Sequence, residues 1–316
     1  MNRVLAWDKS RAPLGASVAA IGVFDGVHVG HQALIRHTAS DARERGLPAV
    51  AVTFDRDPDQ VVNPDASVPQ LLTLSDKCAF LLQAGADLAL VIPFDVGLAL
   101  LSPEEFLEDV LLAALAPHSV HVGTDFRFGR CAEGTVRTLT TAGRSGGFEV
   151  RAHELVTAQG AAITSTRIRS LISSGDVAGA ARLLGRDHRV SGVVVRGRGI
   201  GRTGLGIPTA NLLPAEHAAL PFEGVYSGWA QVDSDTYPAA VSVGTPPTFP
   251  GAHDSLEAHI LGLDCDLYGQ TLTIGFTSRL RDQVRFGSAE ELTDAMKRDI
   301  ERVRESAGTP DPATDM

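Results

Sequence analysis

Cysteine is scarce in this chain: three in 316 residues, at Cys78, Cys131 and Cys265, with no CxxC pair among them. That excludes a disulfide framework and a thiolate metal site, and fits reduced thiols in the cytoplasm. Long apolar runs are also missing. The longest stretches are broken by Asp, Gly and Pro, so no segment reads as a membrane span. The start, Met1-Asn2-Arg3-Val4-Leu5-Ala6-Trp7-Asp8, has no apolar core of the signal-peptide kind. Basic residues are outnumbered, 28 Lys and Arg against 38 Asp and Glu, for a formal net charge of -10. That balance disfavours nucleic acid and anionic membrane as partners, while leaving room for a local basic pocket. Internal repeats and low-complexity tracts are absent.

Hydrophobic residues, at 44%, suffice for packed interiors, and a mean hydropathy of +0.05 reads as a soluble globular protein. The length is comfortable for two cores. The first half alternates apolar runs with helical patterns. Strands are expected over Ser17 to Val23, Ala49 to Phe54, Leu88 to Ile92 and Ser119 to Val122. Helices are expected over His31 to Arg45, ending at Gly46, over Ser75 to Ala84, and from the start signal Ser102-Pro103-Glu104-Glu105. This alternation predicts an α/β domain with a doubly wound parallel sheet. Two short helices follow, Thr166 to Ser173 and Asp176 to Leu184, and the texture changes near Arg186. Strands are then expected over Val190 to Val195, Val225 to Val232, Tyr237 to Val243, Leu256 to Leu261 and Thr271 to Phe276. Closely spaced strands of this sort predict a small antiparallel β-barrel, closed by a C-terminal helix from Ser288 to about Arg304. The expected domains are 1–186 and 187–305, with 306–316 a disordered tail.

Ile21-Gly22-Val23-Phe24-Asp25-Gly26-Val27-His28-Val29-Gly30-His31 follows the first strand, beyond the carboxyl end of which such sheets bind ligands. Glycines at 22, 26 and 30 let backbone approach a ligand closely. Amides at the start of the next helix can face a phosphate. His28 and His31, three apart on that first helical turn, can share a face and stabilise charge growing at phosphorus. The segment reads as a nucleotide-phosphate site of the nucleotidyltransferase kind. Ser165-Thr166-Arg167 puts hydroxyls and a guanidinium at a helix start, a second anion site. A third lies in the Gly- and Arg-rich stretch from Gly197 to Leu212, which includes Gly199, Gly201 and Pro208. There Thr209 and Asn211 alternate by two, so a hydroxyl and an amide oxygen can hold a phosphate-bridging Mg²⁺.

These stretches, with Leu101-Ser102-Pro103-Glu104-Glu105-Phe106 and Val122-Gly123-Thr124-Asp125-Phe126-Arg127-Phe128-Gly129, resemble the bifunctional bacterial riboflavin kinase/FMN adenylyltransferase family from about residue 17 to 304. The resemblance implies two ATP-dependent steps, riboflavin to FMN in the C-terminal domain and FMN to FAD with release of pyrophosphate in the N-terminal one. It implies that His28 and His31 hold the nucleotide phosphates and the transition state, with Gly22, Phe24, Asp25 and Gly30 around them. Ser165, Thr166 and Arg167 would grip the triphosphate, and Asp125, Phe126 and Arg127 would line the flavin side. In the kinase half it implies Glu257 as general base, Thr209 and Asn211 as Mg²⁺ ligands, and Gly199, Gly201, Pro208 and Thr209 around ATP. Arg281 and Arg285 are placed on the flavin side.

Two departures bear on these expectations. Where the family usually shows Phe-x-Pro-His-Pro, this chain reads Phe54-Asp55-Arg56-Asp57-Pro58. A carboxylate beside a triphosphate repels it unless a cation intervenes. The adenylyltransferase half is therefore expected to be weak, altered in donor or lost. Pro246 stands where the family usually has Asn, removing an amide donor and an amide side chain. A paralogue with a changed flavin or donor and a non-catalytic flavin-binding regulator remain as alternatives. The sequence leaves monomer and homo-oligomer both open.

Overall fold

A computed structural model describes residues 3–8, 13–63, 68–196, 207–244 and 255–307. The chain divides into two compact units, Met1–Ser165 and Thr166–Met316.

The first unit is built on a six-stranded parallel sheet. Its strands are β1 (Val4–Ala6), β2 (Ala16–Ile21), β3 (Ala49–Phe54), β4 (Leu88–Ile92), β5 (Ala116–Gly123) and, after two-residue strands β6 (Arg127–Phe128) and β7 (Gly134–Thr135), β8 (Glu149–His153). The spatial order is β1-β4-β3-β2-β5-β8. Strand alternation sends successive side chains to opposite faces, and both faces are covered. Ala19, Ile21, Val50, Val52 and Phe54 meet Phe106, Leu107, Val110, Leu111 and Leu139 on one face. Ala20 and Ala51 meet Leu34, Ile35 and Leu81 on the other. The sheet is therefore doubly wound, as expected. The helix Val29–Arg45 stops at Gly46, whose φ of 66° makes the left-handed cap. Ser102 and Glu105 form a capping box with Pro103 at the first helical position.

In this unit the main omissions from the expected elements are the edge strand β1, the helix Val136–Gly146 and strand β8. Strand β1 has only three residues, and the alternation of β8, Glu-Val-Arg-Ala-His, is polar at three of its five positions. Small two-residue strands β9 (Thr157–Ala158) and β10 (Ala161–Ala162) close the unit.

In the second unit the strands are β11 (His188–Val195), β12 (Ala210–Pro214), β13 (Gly224–Val232), β14 (Asp235–Gly244), β15 (Ser255–Ile260) and β16 (Thr271–Arg281). They close into an antiparallel barrel in the order β11-β12-β15-β14-β13-β16. Leu212, Val241, Leu256, Ala258, Ile274 and Phe276 share its core. Barrel closure brings β13 and β16 so close that a Cβ at Gly275 would lie 2.0 Å from the Trp229 ring, so only glycine fits there. The helices Ser165–Ser173 and Val177–Leu184 belong to this unit from Thr166 onward, and Val177 is part of the barrel core. The last helix, Ala289–Ala307, runs three residues past the expected Arg304. The expected tail beyond it, and Gly199, Gly201 and Pro246, lie outside the described residues.

Candidate functional site

In the first unit the chain leaves β2 toward β3 on one side, while β5 lies on β2's other side. Neighbouring strands whose connections diverge form the crevice in which open α/β sheets take their ligands. Gly22 to His31 follows β2, and Gly123 to Arg127 follows β5. The topology thus brings the candidate phosphate and flavin segments to one crevice.

The phosphate turn is held in a costly conformation. Phe24 and Val27 have φ of 55° and 38°, with Gly26 at 79° between them. Positive φ is rare for an aromatic and an outlier for a β-branched residue, and persists only where surroundings enforce it. Those surroundings are visible. The Phe24 and Val27 side chains are buried among Leu34, Ile35 and Leu72. The Asp25 carboxylate accepts from the Leu71 amide at 3.1 Å, and the Asp25 carbonyl accepts from the Ser165 hydroxyl at 2.8 Å. The Val23 carbonyl accepts from the Thr53 hydroxyl at 3.0 Å and from the Lys77 ammonium at 3.2 Å. Gln32 donates to the Val27 carbonyl at 2.9 Å.

His28 is the N-cap of the following helix rather than a member of its first turn. Its Nδ1 accepts from the His31 amide at 3.3 Å. The two imidazoles stack with centroids 3.6 Å apart, and Phe24 meets His31 edge-on at 5.2 Å. The pair thus shares one position although only His31 is helical. A Cβ at Gly30 would lie 3.1 Å from the His28 ring, which explains the glycine.

Asp25, expected at the nucleotide, turns its carboxylate to the Leu71 amide. Ser165 is tied to the phosphate turn through the Asp25 carbonyl, and Thr166 and Arg167 take the next two positions of the helix that Ser165 begins. Asp125 and Arg127 are exposed, whereas Phe126 packs partly on the core and stacks on buried Phe128 at 5.6 Å. Asp57 accepts from the Asp59 amide at 3.1 Å at the start of a short helix. Arg56, its sequence neighbour, pairs with Asp55 at 3.0 Å.

Sequence reasoning passed over Lys77. It is 6% exposed and donates to the Phe54 carbonyl at 2.7 Å besides that of Val23. Burial pushes its pKa down, against the opposing pull of the Asp25, Asp57 and Asp55 carboxylates. A lone lysine in the run Leu74-Ser75-Asp76-Lys77-Cys78-Ala79-Phe80-Leu81 was the available signal. A second polar network was also missed. Buried Asp41 accepts from Ser119 at 2.6 Å and pairs with His121 at 3.1 Å, Arg45 at 2.9 Å and Arg151 at 3.1 Å. His121 bonds in turn to His153 at 3.0 Å.

On the barrel, Asn211 of β12 stands directly opposite Glu257 of β15, and Glu257 is opposite Ser242 of β14. Leu256, Ala258 and Ile260 turn into the core, so alternation puts Glu257 and His259 on the outer face. His259 donates through Nδ1 to the Pro208 carbonyl at 2.7 Å, fastening the segment that carries Thr209. His259 thus supports that segment. Gln283 donates to the Ser242 hydroxyl at 2.8 Å. Arg281 makes a double contact with buried Asp299, at 2.7 and 3.0 Å, and lies 5.6 Å from the Phe286 ring centre, while Arg285 is exposed. Asp266 accepts from the Tyr268 amide at 3.0 Å in the turn before Gly269, and Ser288 caps the last helix, accepting from the Glu291 amide at 3.2 Å.

Among the described residues no cluster of His, Cys, Asp and Glu could hold a metal by itself. None of their helices is long and apolar enough to cross a membrane.

Comparison with known proteins bears on both units. A family model described as FAD synthetase matches residues 11–167, and one described as riboflavin kinase matches 184–307. The bifunctional riboflavin kinase/FMN adenylyltransferase of Escherichia coli K12 is 35% identical over 96% of this chain and 97% of its own. The enzymes of that name from Pseudomonas fluorescens and Bacillus subtilis are 36% and 33% identical over 91% and 90% of this chain, covering 92% and 90% of theirs. A crystal structure described as a macrolide-efflux protein from Streptococcus pneumoniae superposes with a TM-score of 0.85 at 31% identity, covering 96% of this chain and 99% of that one. The two family matches and the relatives aligned over nearly the full length show that this chain belongs to the bifunctional riboflavin kinase/FMN adenylyltransferase family.

Proposed function

We propose that this chain phosphorylates riboflavin to FMN with its barrel unit and adenylylates FMN to FAD with its parallel-sheet unit, using ATP for both steps. The observation that carries the reading is that each family match covers essentially one compact unit. A changed donor and a non-catalytic regulator lose ground because both matches occur in one chain, and relatives of the bifunctional name align over at least nine-tenths of it. The efflux description of one structural relative has no counterpart among the described residues, which include no membrane-crossing helix.

In the kinase step Glu257 takes the proton from the terminal ribityl hydroxyl. The freed oxygen attacks the γ-phosphorus of ATP, and ADP leaves. Thr209 and Asn211 offer hard oxygen donors beside Glu257 and suit Mg²⁺, which keeps several waters and binds through few protein ligands plus phosphates. When bound, the ion would neutralise phosphate charge. Gly199, Gly201 and Pro208 would surround the ATP, with Arg281 and Arg285 toward the flavin.

In the adenylyl step an FMN phosphate oxygen attacks the α-phosphorus of ATP and pyrophosphate leaves. His28 and His31 stabilise the charge that builds at phosphorus, on a turn whose strain is already met by the fold. Gly22, Phe24, Asp25 and Gly30 shape that turn. Ser165, Thr166 and Arg167 hold the triphosphate, and Asp125, Phe126 and Arg127 line the FMN side. The functional domains are taken as 1–186 and 187–305. Exposed free thiols at Cys131 and Cys265 and the net charge of -10 support a cytoplasmic protein acting on small molecules rather than nucleic acid.

The test is incubation with riboflavin, ATP and Mg²⁺, then with FMN in place of riboflavin, with flavins separated by chromatography. FMN followed by FAD is the expected result, and chelation of Mg²⁺ should stop both. Absence of FMN overturns the kinase assignment. FMN without FAD confines activity to the barrel.

A further inference from the structure

The ends of β2 and β3 lie side by side at the candidate adenylyl site, and three carboxylates gather there. Asp25 belongs to the phosphate turn, and Asp55 and Asp57 follow β3. Charge of that sign beside a bound triphosphate raises its free energy, strongly so where water is excluded. Arg56 does not answer all of it, because its guanidinium is engaged by Asp55 on the exposed side. Among the described residues, a cation on the inner side is Lys77, from the helix Leu74–Gln83. Its ammonium donates to the carbonyls of Val23 and Phe54. One of these opens the phosphate turn and the other ends β3, so one side chain joins the two segments. A buried ammonium is expensive unless it is hydrogen-bonded and faced by opposite charge. The facing charges are Asp25, Asp57 and Asp55, in that order of effect, with the Cys78 thiol the other titratable group near it.

We propose that Lys77 is a positioning residue for adenylyl transfer, tying the phosphate turn to the Asp55–Asp57 segment and offsetting its carboxylates so that a triphosphate can lie beside them. The inference rests on the adenylyltransferase reading above. Lys77 touches no reacting atom. It sets the place and the local potential of the turn that carries His28 and His31.

The test is a double-variant cycle of wild type, Lys77→Met, Asp57→Asn and the pair together. Adenylyl transfer from ATP to supplied FMN is read as kcat and KM, and the kinase step of the same preparations is the internal control. Lys77→Met should raise the KM for ATP about tenfold, with a smaller change in kcat. Adding Asp57→Asn should bring KM back to within about threefold of wild type, because the two charges are coupled. The kinase step should not change. A purely structural lysine would give no recovery in the pair, and that result overturns the proposal, as does a Lys77→Met variant with wild-type KM. If Lys77→Met does not fold, Asp57→Asn alone decides. Losing that carboxylate lowers the pKa of Lys77, so the alkaline limb of kcat/KM for adenylyl transfer should move to lower pH. A stationary limb overturns the proposal. If the wild-type protein makes no FAD from FMN, it is the underlying adenylyltransferase reading that fails. Wild-type FAD synthesis with uncoupled variants defeats the Lys77 proposal alone.

Discussion

Asn211 and Glu257 are directly paired across antiparallel β12 and β15, although 46 positions separate them in the chain. The pairing puts an amide and a carboxylate on one outer row of the barrel, with Ser242 next along it. Glu257→Gln keeps the shape and removes the base. FMN formation should fall by about 100-fold or more, the usual range for a general base. FAD formation from supplied FMN should stay at the wild-type rate. Steady-state rates for the two steps, measured separately, check this.

Gly30→Ala separates stability from activity in the first unit. Alanine favours a helix over glycine by up to about 1 kcal/mol, yet its Cβ would press on the His28 ring at 3.1 Å. Adenylyl transfer should drop about tenfold through the displaced imidazole, while the melting temperature holds or rises. Parallel activity and thermal-melt measurements test the split.

Acid should destabilise both units. Burial pushes the pKa of His188 in the barrel down to about 4, and that of His153 in the first unit likewise. The unfolded chain binds protons near 6.5 that the folded chain refuses until about 4. Stability is therefore lost as pH falls through this window, and the loss stops growing below it. For fully buried His188 this amounts to about 2 kcal/mol between pH 6.5 and 5. His188→Gln should flatten the fall of melting temperature between pH 7 and 5, and a slope equal to wild type contradicts the assignment.

Asp299→Ala should cost more than its surroundings suggest. It strands Arg281, which loses both contacts to a carboxylate only 4% exposed. Removing one member of such a pair costs about 3 kcal/mol or more. Denaturant unfolding measures the loss. Replacing both residues with apolar ones, as in Arg281→Met with Asp299→Leu, should recover much of it.

Much of the architecture was legible because its signals are local. Ala49–Phe54 and Leu88–Ile92 are buried strands whose apolar runs stop at polar or proline residues, and their bounds were read correctly. Gly46 ends its helix by its own backbone preference. Strands β1 and β8 were missed because they are too short or too polar to show a period, and neighbouring strands define them. The candidate site was half legible. The spacing of His28 and His31 announced a shared role, but the sequence placed both on a helical turn, and only His31 is in the helix.

The sequence by itself determined the two textures, the phosphate-turn motif, the Thr209 and Asn211 pair and the family. Each is a matter of residue type and short spacing along the chain. Only the tertiary structure decided which distant groups face one another. Asp25 spends its carboxylate on the Leu71 amide, Arg281 donates its guanidinium to Asp299, and Lys77 reaches the ends of two strands. A charge in a sequence has no partner until folding removes water around it. Strand register and burial choose that partner, and neither can be read from the residue alone.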